Sequence, residues 1–342
     1  MKQVIVPAFG SPDTLHIKTV EPICPKDNEV AIRLISVGLN QADLMARRGE
    51  YRLSSGEPPF TPGIEGGGII TAVGSHVAER KVGQRVILTI GAPYKVGTYR
   101  SEFVTTVENT VVVPDAIPDS LLGALWLSFA TAWGALVWRQ NLRPGQTLLL
   151  PAASSSVAIA ASQIASAIGT TVIGTTTSRE KVDALQTLPA AKYDHLVVTS
   201  AEDSGRDRAK DAEPWWQQIK KLTCGRGVDV IFDPVAAGDF LHHEIRLLAE
   251  GGTIWVYGLL GNVGPVDVSP LIRKHAAIKG WLLNALVDTP AEQEAYQHIL
   301  ENVAAGRYTM PIAKTFPIEQ VREAHRAMEE GSHIGKYVLM PT

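Results

Sequence analysis

Cysteine is nearly missing: Cys24 and Cys224 are the only two among 342 residues. So sparse a set excludes a disulfide-built scaffold and any multi-cysteine zinc or iron–sulfur centre, and it fits a reducing compartment. A surplus of one charge sign is missing too, since 32 basic side chains face 35 acidic ones, for a net charge of −3. No global field therefore draws the chain to nucleic acid or to anionic lipid. The third absence is a membrane-length apolar run. Residues 120–138 and 144–178 carry no charged side chain, but Pro151, Gly169, Gly174 and many Ser and Thr residues interrupt the longer stretch. It predicts buried strands and helices, not a span of about 20 apolar residues. Met1-Lys2-Gln3-Val4 opens no basic-then-apolar leader pattern, so the expectation is a cytoplasmic protein without membrane or nucleic-acid partners.

What is present has the balance of a folded protein, with 45% hydrophobic, 20% charged and 6% aromatic residues, and a length suited to two domains. The first hundred residues read as short strands: residues 3–6, 29–38, 68–74 and 84–88, with Gly and Pro between them. After Pro118 the pattern changes. Residues 120–138 read as helix, 146–150 as an apolar strand, 156–168 as an Ala-rich helix and 171–175 as a β-branched strand. Strand, helix, strand in that order implies a right-handed crossover and a parallel sheet, whose strands are covered on both faces. The alternation resumes with a helix over 215–222, a strand over 228–232, a helix over 242–249 and a strand over 253–257. Ser200 to Pro214 carries eight charges and reads as a solvated loop, followed by Trp215 and Trp216 as a helix packing face. From about Pro265 the chain is expected to leave the alternation and to end in a strand over 336–340 that can return to the first module.

The segment Leu148-Leu149-Leu150-Pro151-Ala152-Ala153-Ser154-Ser155-Ser156-Val157-Ala158 lies between a strand and a helix, where dinucleotide folds hold their pyrophosphate. The usual G-x-G-x-x-G falls on Ala153, Ser155 and Ala158, so all three glycines are replaced. Ala and Ser still permit close backbone approach, and Ser hydroxyls can donate to phosphate oxygens, but easy access to positive φ is lost. A βα turn without a cofactor is the other reading of this segment. About 20 residues on, an acid would hold the ribose of NAD. Here the strand end reads Thr175-Thr176-Thr177-Ser178-Arg179-Glu180-Lys181, with no acid at the strand end itself. Thr176, Ser178, Arg179 and Lys181 suit a 2′-phosphate and favour NADP(H), the alternative being exposed helix-start charges.

Several separated segments together resemble the medium-chain dehydrogenase/reductases, and within them the zinc-independent quinone oxidoreductase and enoyl reductase branch. They include Gly38-Leu39-Asn40-Gln41-Ala42-Asp43, Arg48-Gly49-Glu50-Tyr51, Pro62-Gly63-Ile64-Glu65-Gly66, Gly97-Thr98-Tyr99, Thr131-Ala132-Trp133-Gly134, Gly225-Arg226-Gly227-Val228 and Gly335-Lys336-Tyr337-Val338. The resemblance implies an α/β protein with a GroES-like β-rich catalytic domain plus a Rossmann doubly wound parallel-sheet nucleotide-binding domain. The expected division is 1–120 and 266–342 for the first and 121–265 for the second. An active site in the interdomain cleft, a homodimer or tetramer and a small-molecule substrate are implied with it.

Departures narrow the reading. Zinc alcohol dehydrogenases of this family place a Cys near Gln41 and a Gly-His-Glu where this chain has Gly63-Ile64-Glu65, and the four-cysteine structural loop is missing after Arg85. These positions cannot supply a tetrahedral zinc site. His242-His243-Glu244 is no substitute, because adjacent helical residues point apart. Without zinc, conjugate hydride addition to a C=C, or quinone reduction, is favoured over reduction of a simple ketone, because hydrogen bonds can stabilise the enolate. The resemblance assigns Tyr51 as proton donor or enolate partner, the alternative being a lining aromatic, and sets Asn40 beside substrate and nicotinamide. It gives Asp43 and Glu65 structural roles. Thr131, Ala153, Ser154, Ser155, Ser156, Val157, Pro234, Val235, Tyr257, Leu259, Leu283, Asn284 and Lys336 complete the expected cofactor contacts. A cofactor-free binding relative is the competing class.

Overall fold

A computed structural model describes residues 1–51, 56–199, 213–262 and 264–341. Most of the charged segment 200–214 therefore lies outside the described residues. The chain forms two compact units, Met1–Ala130 with Leu286–Thr342, and Thr131–Ala285.

In the first unit, β1 (Lys2–Ile5) pairs with β2 (His16–Thr19) in a small antiparallel sheet. The larger sheet contains β3 (Glu29–Gly38), β4 (Gly66–Val73), β5 (Arg85–Leu88), β6 (Glu102–Thr106), β7 (Thr110–Val112), β14 (Ile312–Pro317) and β15 (Lys336–Met340). Its order is β14-β15-β3-β4-β5-β7, with β6 also on β3. The closing strand thus returns to the first module, Val338 opposite Gly38. Alternate residues of β3 and its neighbours feed a core that includes Ile32, Leu34, Val86, Phe103 and Leu339. Helices α1 (Gln41–Arg48), α8 (Pro290–Ala304) and α9 (Val321–Glu330) complete this unit, and the unit boundary falls within α2 (Trp126–Trp133), which continues as a π-helical turn over Gly134–Arg139.

The second unit alternates strand and helix throughout: β8 (Thr147–Leu150), α3 (Ser156–Ile168), β9 (Thr171–Thr176), α4 (Arg179–Thr187), β10 (His195–Val198), α5 (Trp215–Leu222), β11 (Val228–Asp233), α6 (Gly238–Leu247), β12 (Leu248–Val256), α7 (Ser269–Lys274) and β13 (Ala277–Gly280). Every strand pair is parallel, in the order β10-β9-β8-β11-β12-β13. The order reverses between β8 and β11, which in doubly wound sheets marks a ligand crevice outside the carboxyl ends of the strands. All four residues of β8 are buried, as a strand covered on both faces requires. Trp215 is buried and stacks on Phe240, at 4.6 Å between centroids.

Three expectations differ from the structure. The alternation does not stop near Pro265, because α7 and β13 extend the parallel sheet, so the second unit ends at Ala285. It also begins at Thr131 and not at residue 121. Helix α6 starts at Gly238, ahead of the expected His242.

Candidate active site

The carboxyl edge of the parallel sheet gathers four segments. After β8, the chain turns through Ala152, whose φ of +52° is the left-handed conformation that glycine adopts more cheaply. Ala153 donates its N–H to the Thr175 carbonyl at 2.8 Å, and its own carbonyl accepts the Tyr193 hydroxyl at 2.7 Å. Room for the Ala153 side chain comes from the neighbouring strand: a Cβ placed on Gly174 would come within 2.9 Å of the Ala153 Cβ. Ser155 caps α3, its hydroxyl accepting the Ala158 N–H at 3.2 Å. The first turn of α3, with Ser156 and Val157, therefore presents N–H groups and the positive end of the helix dipole to this turn. Ser154 is buried beside it.

At the end of β9, Thr176 is buried and Ser178 caps α4 by accepting the Lys181 N–H at 3.2 Å. Arg179 extends into solvent and pairs with Asp183 at 3.2 Å. Lys181 is half-buried, and burial lowers its pKa.

The ends of β11 and β12 are laced together. Asp233, Pro234 and Val235 accept through their carbonyls from Tyr257, Leu260 and Gly261 at 2.9, 3.0 and 2.8 Å. The Asp233 carboxyl accepts the N–H groups of Val235 and Ala236 at 2.6 and 2.8 Å. Leu259 is exposed, and Tyr257 stacks on Phe232 at 4.0 Å between centroids. Burial and the nearby Asp233 carboxyl raise the Tyr257 pKa, against a hydrogen bond with Ser155. Ser155 and Tyr257 thus join the phosphate turn to the β12 edge. Thr131, also in this unit, accepts the Trp281 indole N–H through its carbonyl at 3.0 Å. Trp281 and Leu283 are buried and Asn284 is half-buried.

The first unit holds a different cluster. Lys336 and Glu65 form an ion pair of 2.8 Å with side chains 2% and 1% exposed. Lys336 also donates to Asn40 Oδ1 at 2.5 Å, and Glu65 Oε1 accepts the Leu127 N–H at 2.9 Å. Asn40 Nδ2 reaches the Gly38 carbonyl at 3.3 Å and Glu65 Oε2 at 3.4 Å. A Cβ at Gly38 would lie 2.5 Å from Glu65 Oε2, so glycine is what lets the pair close. Asp43 accepts the Asn40 N–H at 2.8 Å and the Tyr99 hydroxyl at 3.3 Å. Burial pushes the Asp43 carboxyl up to about 7. His325 lies 3.2 Å from the Tyr99 hydroxyl, and burial, with Arg47 and Arg48, holds its imidazole down at about 3 and so neutral. Tyr51 is half-buried; burial and then Tyr94, to which it is hydrogen-bonded, raise its pKa well above that of a free phenol.

Lys336, expected among the cofactor contacts, has its ammonium buried in the first unit and paired with Glu65. Asn40 likewise has its amide engaged on both sides. Tyr94 and Tyr193 carry no local sequence signal, since each sits in a loop with no periodic pattern around it. His243 stacks on Trp216 at 3.7 Å and meets the His242 ring edge-on at 5.6 Å, while Glu244 is wholly buried, so the carboxyl does not join the two imidazoles.

Two family profiles match: an alcohol dehydrogenase GroES-like domain over residues 26–116 and a zinc-binding dehydrogenase over residues 199–339. The chain is 30% identical over 351 residues to the quinone oxidoreductase of Lama guanicoe, covering 99% of this chain and 97% of the relative. To the synaptic vesicle membrane protein VAT-1 homolog of Rattus norvegicus it is 28% identical over 363 residues, covering 100% and 84%. The solved structure of CurK enoyl reductase superposes with a TM-score of 0.81 at 25% identity, covering 99% and 98%. The zinc in the second description does not fit the residues present: Glu65 is held by Lys336, and among the described residues no group of three or more His, Cys, Asp or Glu is placed to hold a metal ion. Nor, among them, is any helix long and apolar enough to cross a membrane.

Proposed function

This chain belongs to the medium-chain dehydrogenase/reductase superfamily, in its quinone oxidoreductase and enoyl reductase branch, and we propose that it is an NADPH-dependent reductase of activated C=C bonds. The observation that carries this reading is the carboxyl edge of the parallel sheet. There the β8–α3 turn supplies N–H donors for a pyrophosphate, and the β9 end carries hydroxyls and Arg179 with no acid before the helix. When bound, the reduced nicotinamide supplies a hydride to the β-carbon of an α,β-unsaturated carbonyl or enoyl thioester.

The chain's own residues bind and orient. Ala153 through Val157 would line the pyrophosphate, with the first-turn N–H groups of Ser156 and Val157 and the Ser hydroxyls as donors, the Ala153 and Ser155 N–H groups being held within the turn. Thr176, Ser178, Arg179 and Lys181 receive the 2′-phosphate, with Arg179 the mobile cation that leaves Asp183 to do so. Pro234, Val235, Tyr257 and Leu259 border the ribose and ring, and Thr131, Leu283 and Asn284 complete the carboxamide side. Tyr51, kept protonated by its surroundings, donates a hydrogen bond to the carbonyl oxygen as negative charge develops there. A proton taken up at the α-carbon completes the saturated product. Asn40 and Asp43 act through the loop they fix, and Lys336 with Glu65 holds that loop against β15.

A cytoplasmic homodimer belongs to the same proposal. The sheet ends in β13, an edge strand whose residues are half-buried or exposed and which can pair with a second copy. The deciding experiment follows NADPH oxidation with an enone, an enoyl thioester and a quinone in parallel. Faster turnover of the enone or thioester supports the proposal. Turnover of the quinone alone would make the protein a quinone reductase, and NADPH binding without oxidation by any of the three would make it a binding protein.

A further inference from the structure

Beneath the turn that leaves β11 lie two carboxyl groups, Asp233 and Glu244, both 0% exposed. Each Asp233 oxygen accepts one backbone N–H, Oδ1 that of Val235 and Oδ2 that of Ala236, and keeps a further lone pair. That geometry suits a carboxylate. Glu244, on α6, is the opposite case: neither of its oxygens accepts a hydrogen bond from any donor among the described residues. What faces it is the Asp233 carboxyl. Two acceptors with no donor between them repel, and an ionised carboxyl cannot be left dry and unpaired at acceptable cost. Among the described residues neither carboxyl has an ion-pair partner, and the other titratable group facing Asp233 is the Tyr257 phenol at the end of β12. The adjacent His243 turns outward onto Trp216.

We infer that Glu244 carries a proton at neutral pH and donates it to Asp233, the two acids sharing one proton that fixes the Pro234–Gly238 turn. Glu244 is a positioning residue. It orients Asp233, Asp233 orients the Val235 and Ala236 N–H groups, and Ala236 is held at a φ of +48°. Burial and the Asp233 charge both raise the Glu244 pKa well above the ordinary carboxyl value, in agreement with this arrangement. The consequence for dinucleotide affinity rests on the cofactor reading above, whereas the proton itself does not.

The sign of the pH effect follows from linkage. A carboxyl whose folded pKa is raised stabilises fully below its unfolded value and loses that contribution as pH rises toward the folded one. Glu244→Gln keeps a donor to Asp233 without a titration, and Glu244→Leu keeps the volume without a donor. In the unliganded protein, the unfolding constant of wild type relative to Glu244→Gln should rise by up to about tenfold per pH unit above roughly pH 5. The wild-type-minus-Gln infrared difference spectrum at neutral pH should show a carboxylic-acid band for Glu244, the Asp43 acid being common to both proteins and cancelling. Parallel pH profiles and no lost band would overturn the shared proton. For positioning, NADPH should bind the Gln variant as it binds wild type and the Leu variant about tenfold more weakly, the size expected for a lost hydrogen bond to a charged group. Equal affinity of the Leu variant would overturn the positioning role. If wild type itself bound no dinucleotide, the functional proposal would fail while the infrared and pH results still decided the proton.

Discussion

Ala153 and Gly174 are complementary across β8 and β9: the methyl group that replaces the first glycine of the phosphate turn occupies space that a side chain on Gly174 would need, 2.9 Å away. The turn therefore does not lack room for want of glycine. The room is supplied from the next strand, where a Cβ on Gly174 would also meet Leu196 and Tyr193 at 2.8 Å.

Gly174→Ala should accordingly destabilise the second unit by about 1–3 kcal/mol, the usual cost of overpacking. Adding Ala153→Gly should recover only part of this, because the Leu196 and Tyr193 contacts persist. Urea unfolding of the two variants measures it, and a neutral Gly174→Ala would contradict the packing described.

The buried pair of Lys336 and Glu65 predicts a large asymmetry. Lys336→Met alone leaves an unpaired buried carboxylate and should cost about 3–5 kcal/mol, whereas Lys336→Met with Glu65→Gln should recover most of it. Denaturant titration of both variants checks this. Equal losses would mean that the lysine matters for its shape and not its charge.

Asp43 predicts a pH dependence of stability. Its folded pKa of about 7 lies above the ordinary carboxyl value of 3.8, chiefly through burial. The stability it contributes is complete at low pH and lost as pH rises between roughly 4 and 7, by up to about 1.4 kcal/mol per unit. Asp43→Asn should flatten that slope in unfolding measured across the window. An unchanged slope would show that Asp43 ionises normally.

How much of this was legible in the sequence depends on how local each signal is. The boundaries of β3, α3, α5 and β15 follow from periodicity and flanking Gly or Pro, and they coincide with the expected ranges. The edge strand β13, Ala277-Ile278-Lys279-Gly280, is short, half-exposed and carries a lysine, so it lacks the apolar run that marks a buried parallel strand. Lysine is usually a surface residue, and nothing near Lys336 in sequence announces Glu65 as its partner. Glu244 was hidden for a related reason: its burial is set by which way α6 faces, and two histidines beside it suggest a surface. The phosphate turn was legible in place but not in mechanism, since the compensating Gly174 lies on another strand.

Tyr51→Phe should slow enone turnover roughly 10- to 100-fold while leaving NADPH affinity within the error of measurement, if its hydroxyl supports the developing enolate. Tyr94→Phe, which removes the partner of that hydroxyl and not the hydroxyl itself, should have a smaller effect. Steady-state kinetics with separate binding measurements checks both, and unchanged turnover in Tyr51→Phe would remove its assigned role.

The central claim is that a glycine-free turn still holds a dinucleotide and that the β9 end selects the phosphorylated one. Titration of the purified protein with NADPH and then NADH, followed by nucleotide fluorescence and calorimetry in wild type and Arg179→Ala, tests it most directly. Wild type should bind NADPH in preference to NADH, with that preference lost in the variant and NADH affinity spared. Absence of binding by either nucleotide to the folded protein would contradict it.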